Sequence, residues 1–485
     1  MRKGRTISLA IGATALAAAV VVAAATSAPA ASRPDSSTAA TAPKISIRPG
    51  VLHLGKVFST APTTGFCETH FKVACYVPAQ LQRAYNLSPL FKKGITGKGR
   101  TIAIVDSFGS PTIKSDLAFF DKTFGLPAPP SFKVIAPAGP IPKWDPNNSD
   151  MVGWAGETSL DVEWAHAMAP GASIVLIETP VSETEGVTGF PQIVSAEKQV
   201  ISDPGKFGVN KPDVISQSFS ATEETFTGIG QINANGLRDS YKLAASRGVT
   251  VLTATGDSGA ADVGLDLSTF FTKPVTSWPD SDPLVTGVGG THVRLSTAGK
   301  FSSVAWNDTF SHDVQEYIFG NAGPNPLAGG GGKSVLFSRP TWQNGVRSVT
   351  GSARGVPDIA MSAACNGLAD VYESFPPGTG LPNAWYPSCG TSEATPLFAG
   401  IVALAAQVAG HSLGLINPAL YRLSAQHAPG LVDVTSGSNI VTFTQGGKKY
   451  SFGFPATKGY DLVTGVGTVN AAFFAYELAG QPVPK

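Results

Sequence analysis

The chain has 485 residues, 42% of them hydrophobic and 14% charged, enough to bury a large core as one big domain or two small ones. Lys and Arg total 35 against 34 Asp and Glu, a formal charge of +1, so neither nucleic acid nor an anionic membrane surface is expected as a partner. The 54 Gly and 37 Pro point to many turns, as in an α/β protein with elaborate loops.

In chain order, Arg2, Lys3 and Arg5 precede the apolar run "ISLAIGATALAAAVVVAAAT" and the small residues Ala28-Pro29-Ala30. This pattern predicts a cleaved secretory signal over 1–31, hence a secreted, extracellular protein. An uncleaved anchor helix is the competing reading, because the run is long enough to span a bilayer. No later segment is long and apolar enough to do so, and no membrane association is expected after cleavage. Residues 32–75, beginning "SRPDSSTAATAPK", read as a disordered linker or short pro-segment, with order expected from near Cys67.

From Thr101 onward, short apolar strands alternate with helices. "TIAIVD" (101–106), "ASIVLIE" (172–178), "PDVISQSFS" (212–220) and "GVTVLTATG" (248–256) read as strands, while Ala155–Met168 and Leu237–Arg247 read as helices. This alternation predicts an α/β fold with a mostly parallel central sheet covered by helices on both faces. In such sheets chemistry sits in loops beyond the carboxyl ends of the strands. The "DSFGS" loop, the "TGDSGA" loop and the turn at Ser392 are therefore singled out. "AGGGGKS" resembles a phosphate loop, but Leu327 stands where the first glycine of that motif is needed. It reads as a flexible turn or substrate-facing loop. Four cysteines in an exported chain suggest two disulfides, Cys67 with Cys75 and Cys365 with Cys389. Zinc is not expected, because paired CxxC spacing is missing.

Three stretches carry candidate chemistry. In "GETSLDVEWAHAMAPGAS", Glu157 and Asp161 are four apart and share one helix face. They read either as part of a solvent-exposed acidic stripe with Glu163 or as a carboxyl pair sharing a proton in a cleft. In "TATGDSGA", Asp257 lies in a Gly-flanked turn. It is either a turn former or a protonated acid aimed at a developing oxyanion. In "SCGTSEATPLFAG", Ser392 opens an apolar helix, as an N-cap or as a nucleophile favoured by the helix dipole. His166 is the nearest candidate base in context, and a lone histidine in an Ala-rich helix is more often structural.

Taken in order, "GETSLDVEWAHAMAPGASIVLIE", "TATGDSGA", "PDIAMSA" and "CGTSEATPLFAG" resemble the landmarks of the sedolisin family, the serine-carboxyl peptidases, over Tyr76 to the C-terminus. The resemblance implies a subtilisin-like fold over 76–485 and a protease acting on protein or peptide substrates, with no nucleic-acid partner and as a monomer. It implies Ser392 as nucleophile, Glu157 as general base, Asp161 hydrogen-bonded to Glu157, and Asp257 as oxyanion acid. It also implies a Ca2+ site, with carboxylates from Asp433 and Asp461 and backbone carbonyls from Val434, Thr457 and Gly459. Glu is a weaker base than His, with reference pKa about 4.3 against about 6.5, so an acid optimum is expected.

The sequence departs from the family pattern in places. Only a short stretch precedes Tyr76 where the family commonly has a folded propeptide. Glu393 stands beside Ser392 where a small residue is common, either tuning the site or pointing to solvent. Endopeptidase and tripeptidyl-peptidase activities both fit. Two rivals are a subtilisin-type protease using Asp106 and a histidine, weakened by the missing His-Gly-Thr-His motif, and an inactive binding protein on the same scaffold.

Overall fold

The computed structural model describes residues 58–484 apart from 184, 297, 321–322, 375–378 and 380–381. The expected signal segment and the linker up to residue 57 lie outside the described residues. Short β-branched and aliphatic runs form the central strands. Thr101–Ser107 (β1) is buried along its whole length, which requires cover on both faces. The sheet also contains Phe132–Ile135 (β2), Ser173–Thr179 (β3), Val214–Gln217 (β4), Thr250–Ala254 (β5), Thr286–Leu295 (β6), Phe301–Ala305 (β7) and Ile359–Ser362 (β8). Its order is β7-β6-β5-β4-β1-β3-β2, with β8 also paired to β6. The β6–β7 pair is antiparallel and the others are parallel. All four strands read from the sequence are present. The apolar run 212–220 is a strand only over Val214–Gln217, because Ser218 already leaves the sheet at its carboxyl edge.

Alternate strand residues feed two cores, since successive side chains point to opposite faces. Ile102 and Ile104 of β1 pack with Leu160, Trp164 and Leu404, while Ala103 and Val105 pack with Phe190, Ile193 and Tyr241. The first layer holds Ser149–Met168 (α3) and Thr391–Ala409 (α6), and the second holds Phe190–Ser202 (α4) and Asp239–Arg247 (α5). Thr64–Phe71 (α1) and Ile113–Phe124 (α2) lie outside the βα alternation and against the first core, respectively. Helix α3 starts at Ser149 rather than Ala155, because the Asn148 side chain accepts from the amides of Asp150 and Met151 at 3.0 and 3.2 Å. Among the described residues α6 is the one helix long and apolar enough to cross a membrane, but 83% of that stretch is buried in the protein, which makes it a core helix.

Three expectations are corrected. Part of the expected linker is folded: α1 is stapled by a Cys67–Cys75 disulfide, and Phe58 pairs with Trp385 through backbone bonds of 3.2 and 2.8 Å. Cys67 and Cys75 lie in the main core and Phe58 and Phe71 pack against it, so order reaches upstream of both Cys67 and Tyr76. The glycine-rich segment is not a flexible turn. Gly330 donates to Gly256 O at 2.8 Å, and a Cβ there would lie 1.7 Å from Thr255 O, so the glycines allow two backbones to touch. Glu163 is not on a solvent-facing stripe but fully buried, accepting from the Tyr372 amide at 3.0 Å. The second disulfide joins Cys365 to Cys389, as expected.

Helices α3 and α6 meet at Gly400, where a Cβ would lie 2.5 Å from Met168 Cβ and 3.2 Å from Ala165 O. Gly400→Val must push the helices apart. It is expected to cost about 1–3 kcal/mol in chemical denaturation, whereas an unchanged midpoint would mean that this contact does not set the helix spacing.

Candidate active site

The loops at the carboxyl edge of the sheet converge on the start of α6. Gly390, at φ 124°, is the N-cap, a backbone geometry that favours glycine, so Ser392 is not the cap but sits in the first helical turn. Pro396 lies inside α6 and has no N–H to offer the Ser392 carbonyl four residues earlier. The freed carbonyl lies 3.5 Å from the hydroxyl of Ser218, the first residue beyond β4. The disulfide to Cys365 and a 2.8 Å bond from Gly390 N to Ala363 O fix the approach to the turn.

Facing Ser392 are carboxyl groups from α3. Glu157 and Asp161 are completely buried. Burial raises the Glu157 pKa well above the ordinary carboxyl range, the Ser392 hydroxyl opposes that rise by hydrogen bonding, and the charges of Asp106, Asp257 and Glu183 add to it. Neither Glu157 oxygen makes a hydrogen bond within 3.5 Å among the described residues, so the Ser392–Glu157 contact is a loose one. Such contacts commonly tighten only when substrate is bound. Asp161 accepts from Ser218 Oγ at 3.0 Å, and its pKa is raised first by burial, then by Asp106 and Glu157. Both acids lie in this buried cluster, but the expected Asp161–Glu157 hydrogen bond is not formed: Asp161 Oδ1 accepts from Ser218 instead, and Asp161 Oδ2 and both Glu157 oxygens have no partner among the described residues.

Asp257, in the turn after β5, is anchored from the other side. Its Oδ1 accepts from the Thr391 amide at 2.7 Å and the Thr391 hydroxyl at 2.8 Å, and Thr391 Oγ1 in turn accepts from Gly256 N at 3.0 Å. Oδ2 is buried and has no hydrogen-bond partner among the described residues. Burial pushes the pKa up to about 7, against the Thr391 bonds that lower it. A neutral acid with one anchored oxygen and one unused oxygen beside the Ser392 turn suits donation to a developing oxyanion.

Sequence reasoning missed Ser218 and Thr391. Position is the signal for Ser218, which stands just past a strand's carboxyl end. It also missed the carboxyl role of Asp106, considered only as the partner of a histidine. Asp106 is buried beside Thr158, is pushed up to about 7 by burial, and acts on both Glu157 and Asp161. His166 is elsewhere engaged, with Nε2 2.8 Å from Pro127 O and 3.2 Å from Asp121. Glu393 does not point to solvent: it is fully buried and faces Ser362, with a raised pKa caused first by burial.

At the five expected metal-site residues, the amides of Gly459 and Thr457, not their carbonyls, are the groups seen on the two carboxylates. Gly459 N donates to Asp433 Oδ2 at 2.8 Å and Thr457 N to Asp461 Oδ2 at 2.7 Å, so one short loop touches both carboxylates. The Val434 carbonyl lies 3.5 Å from Thr464 Oγ1, which is 3.2 Å from Asp461. Among the described residues no three Asp, Glu, His or Cys side chains gather as a metal group, so any cation here must draw largely on carbonyls. An all-oxygen set in irregular loops fits calcium. Buried Asn439 links this region to the Asp257 turn: its carbonyl accepts from Ala260 N at 3.2 Å. Its amide donates to Gly331 O and Leu462 O at 3.2 and 3.4 Å.

The fold and these residues define a class, a subtilisin-like α/β protein whose candidate nucleophile faces acids instead of a histidine. No family model matches the chain. It is 30% identical over 401 residues to kumamolisin from Bacillus sp. (strain MN-32), covering 81% of this chain and 62% of that protein. It is 31% identical over 324 residues to sedolisin from Pseudomonas sp. (strain 101), covering 65% and 48%. Human tripeptidyl-peptidase 1 is 29% identical over 330 residues, covering 65% and 50%. The chain thus spans about half to three-fifths of these relatives' lengths. A solved structure of Pseudomonas sedolisin, a serine-carboxyl proteinase complexed with two molecules of pseudo-iodotyrostatin, matches with a TM-score of 0.63 and 26% identity over 83% of this chain and 97% of that one. In sequence and in structure the chain is thus similar to the sedolisin family.

The raised acids make a stability prediction. Asp106 and Asp257 keep their protons to about pH 7 when folded, whereas unfolded Asp releases its proton near about 3.9. Their stabilising contribution is complete below about pH 4 and is lost as pH rises to about 7. The melting temperature is expected to fall across that window. A Tm that climbs from pH 4 to 7 would contradict neutral buried acids.

Proposed function

We propose that this protein is a secreted, acid-acting peptidase that hydrolyses peptide bonds through an acyl-enzyme on Ser392. The observation that carries the reading is the fully buried Glu157 carboxyl facing the Ser392 hydroxyl, while His166 is held by Pro127 and Asp121.

Ser392 Oγ attacks the scissile carbonyl carbon and its proton passes to Glu157. The oxyanion takes a hydrogen bond from protonated Asp257. As the intermediate collapses the C–N bond breaks, and Glu157 returns the proton to the departing amine. Water, deprotonated by the same carboxylate, then attacks the ester, and as the C–Oγ bond breaks Glu157 returns that proton to Ser392 Oγ, releasing the acid product and restoring the starting state. Asp161 and Asp106 keep a charge-poor pocket around Glu157, and the group shares protons as a unit. Ser218 orients Asp161.

The working range has an upper edge. Asp257 ionises near pH 7, and an anion there repels the tetrahedral intermediate. Activity against a denatured protein is expected to peak in acid and fall through about pH 7. Asp257→Asn should move that upper limb to higher pH, and Asp257→Ala should cost about 10²–10³ in kcat. Ser392→Ala and Glu157→Gln should abolish turnover while His166→Ala keeps it. Loss of activity in His166→Ala, with Glu157→Gln active, would replace this reading with a subtilisin-type one. Cleavage of N-terminally blocked peptides is expected of an endopeptidase; release of three residues only from free N-termini would mark a tripeptidyl-peptidase.

Secretion is supported by the N-terminal apolar run and by the two disulfides, which persist in oxidising compartments. Calcium, held by Asp433 and Asp461 with the carbonyls of Val434, Thr457 and Gly459, would supply structural charge balance, with no step in the chemistry. Adding Ca2+ at 100 times its Kd should stabilise the fold by about 2.7 kcal/mol. Asp461→Asn should erase that gain in a thermal melt, and an equal Ca2+ response in the variant would remove the assignment.

A further inference from the structure

The chemistry of Asp257 depends on where its turn sits, and one residue ties that turn to a distant part of the chain. Asn439 is fully buried, and every polar atom it has is engaged. Its main-chain oxygen accepts from Ala260 N at 3.2 Å, and its main-chain N–H donates to Phe454 O at 3.0 Å. Its Oδ1 accepts from Phe454 N at 2.8 Å. Its Nδ2 donates to Gly331 O at 3.2 Å and to Leu462 O at 3.4 Å. A buried polar group satisfied at every atom holds its neighbours in one arrangement.

These partners fall on two sides. On the first is the candidate oxyanion acid. Ala260 is three residues past Asp257, and a Cβ at Gly259 would lie 2.7 Å from Asn439 O, so the turn rests directly on this residue. Gly331 follows Gly330, which donates to Gly256 O at 2.8 Å and accepts from Thr255 Oγ1 at 2.9 Å. On the second side is the candidate calcium loop. Leu462 follows Asp461, whose Oδ1 accepts from the amides of Val463 and Thr464 at 3.0 and 2.8 Å. Phe454 leads in three residues to Thr457, whose amide donates to Asp461 Oδ2 at 2.7 Å. Val434 stands five residues before Asn439. The stretches carrying Val434, Thr457 and Asp461 thus all run into the one asparagine.

We propose that Asn439 is a positioning residue for Asp257, transmitting the order of the 454–462 segment, and of a cation bound there, to the acid that donates to the oxyanion. The cation takes no part in the chemistry; its binding decides how firmly a donor is held in place. Placement of this kind matters, because a 1 Å error at a reacting group can cost about 100-fold in rate. The inference rests on the peptidase and calcium readings and deepens both, by giving the loop a path to the reacting centre.

The experiment keeps the three apart. The full chain is compared with Asn439→Ala and with Asn439→Asp, which keeps an acceptor for Phe454 N and alters the two donor contacts. Hydrogen exchange of peptides spanning 256–260 is followed with Ca2+ and after chelation. Ca2+ is expected to slow exchange there by about fivefold or more in the parent chain. In both variants Ca2+ should still protect 457–464 and no longer protect 256–260; if Asn439→Ala unfolds, Asn439→Asp carries the comparison. A peptide aldehyde, whose adduct on Ser392 sets an oxygen in the oxyanion position, is measured beside the matching alcohol, which forms no adduct. Ca2+ should tighten the aldehyde by about fivefold or more and leave the alcohol unmoved, and the variants should lose that difference. An undiminished Ca2+ response at 256–260 in the variants would overturn the relay. Equal losses for alcohol and aldehyde would overturn it too, because they mark a cross-link of the fold and nothing more. Exchange coupled as expected, with no peptide cleaved at any pH, keeps the relay and removes the peptidase reading. Normal cleavage with no effect of Ca2+ on 256–260 in the parent chain does the reverse.

Discussion

The close crossing of α3 and α6 is the constraint on which the rest depends. One helix carries Glu157 and Asp161, the other Ser392, and both are apolar enough to be core helices. With nothing but a hydrogen at Gly400, the Ala165–Met168 turn settles directly onto α6. Core packing at one end of the helix pair thus sets the approach of hydroxyl and carboxyl at the other. A well-packed interior transmits sub-ångström changes instead of absorbing them, so the reactive geometry is a by-product of hydrophobic burial.

That same burial decides the chemistry. Asp106, Glu157, Asp161 and Asp257 lie out of water, and none of them has a cation among the causes of its shift. An isolated carboxylate in such surroundings is very costly, so the cluster retains protons that its members share, leaving Glu157 able to accept one when a neighbour holds another. Elsewhere the protein does bury a carboxylate with a counter-charge. Asp358 pairs with Arg354 and also accepts from Gly287 N and the Tyr421 hydroxyl at 2.9 and 2.8 Å. The contrast distinguishes a fixed structural ion from acids left free to exchange protons.

Much of this was legible in the sequence, for physical reasons. Buried parallel strands leave continuous apolar runs, which located β1, β3, β4 and β5, and the i, i+4 spacing put Glu157 and Asp161 on one helix face. Spacing alone could not say whether that face met water or the core. Glu163, two positions beyond Asp161, looked equally solvent-exposed and proved equally buried. Contacts between distant segments left no local trace. Thr391 reaching Asp257 and Ser218 reaching Asp161 join residues whose proximity only the assembled sheet creates. The glycine-rich segment misled because glycine marks both mobile turns and tight backbone contact, and here the second applied.

The node at Asn439 bears on how such a molecule comes into being. The turn holding Asp257 lies near the middle of the chain, yet it leans on the Asn439 carbonyl nearer the far end of the sequence. During synthesis from the N-terminus, nucleophile and acids are all present before that prop arrives. A chain assembled in this order does not complete the Asp257 turn until its last stretch has docked.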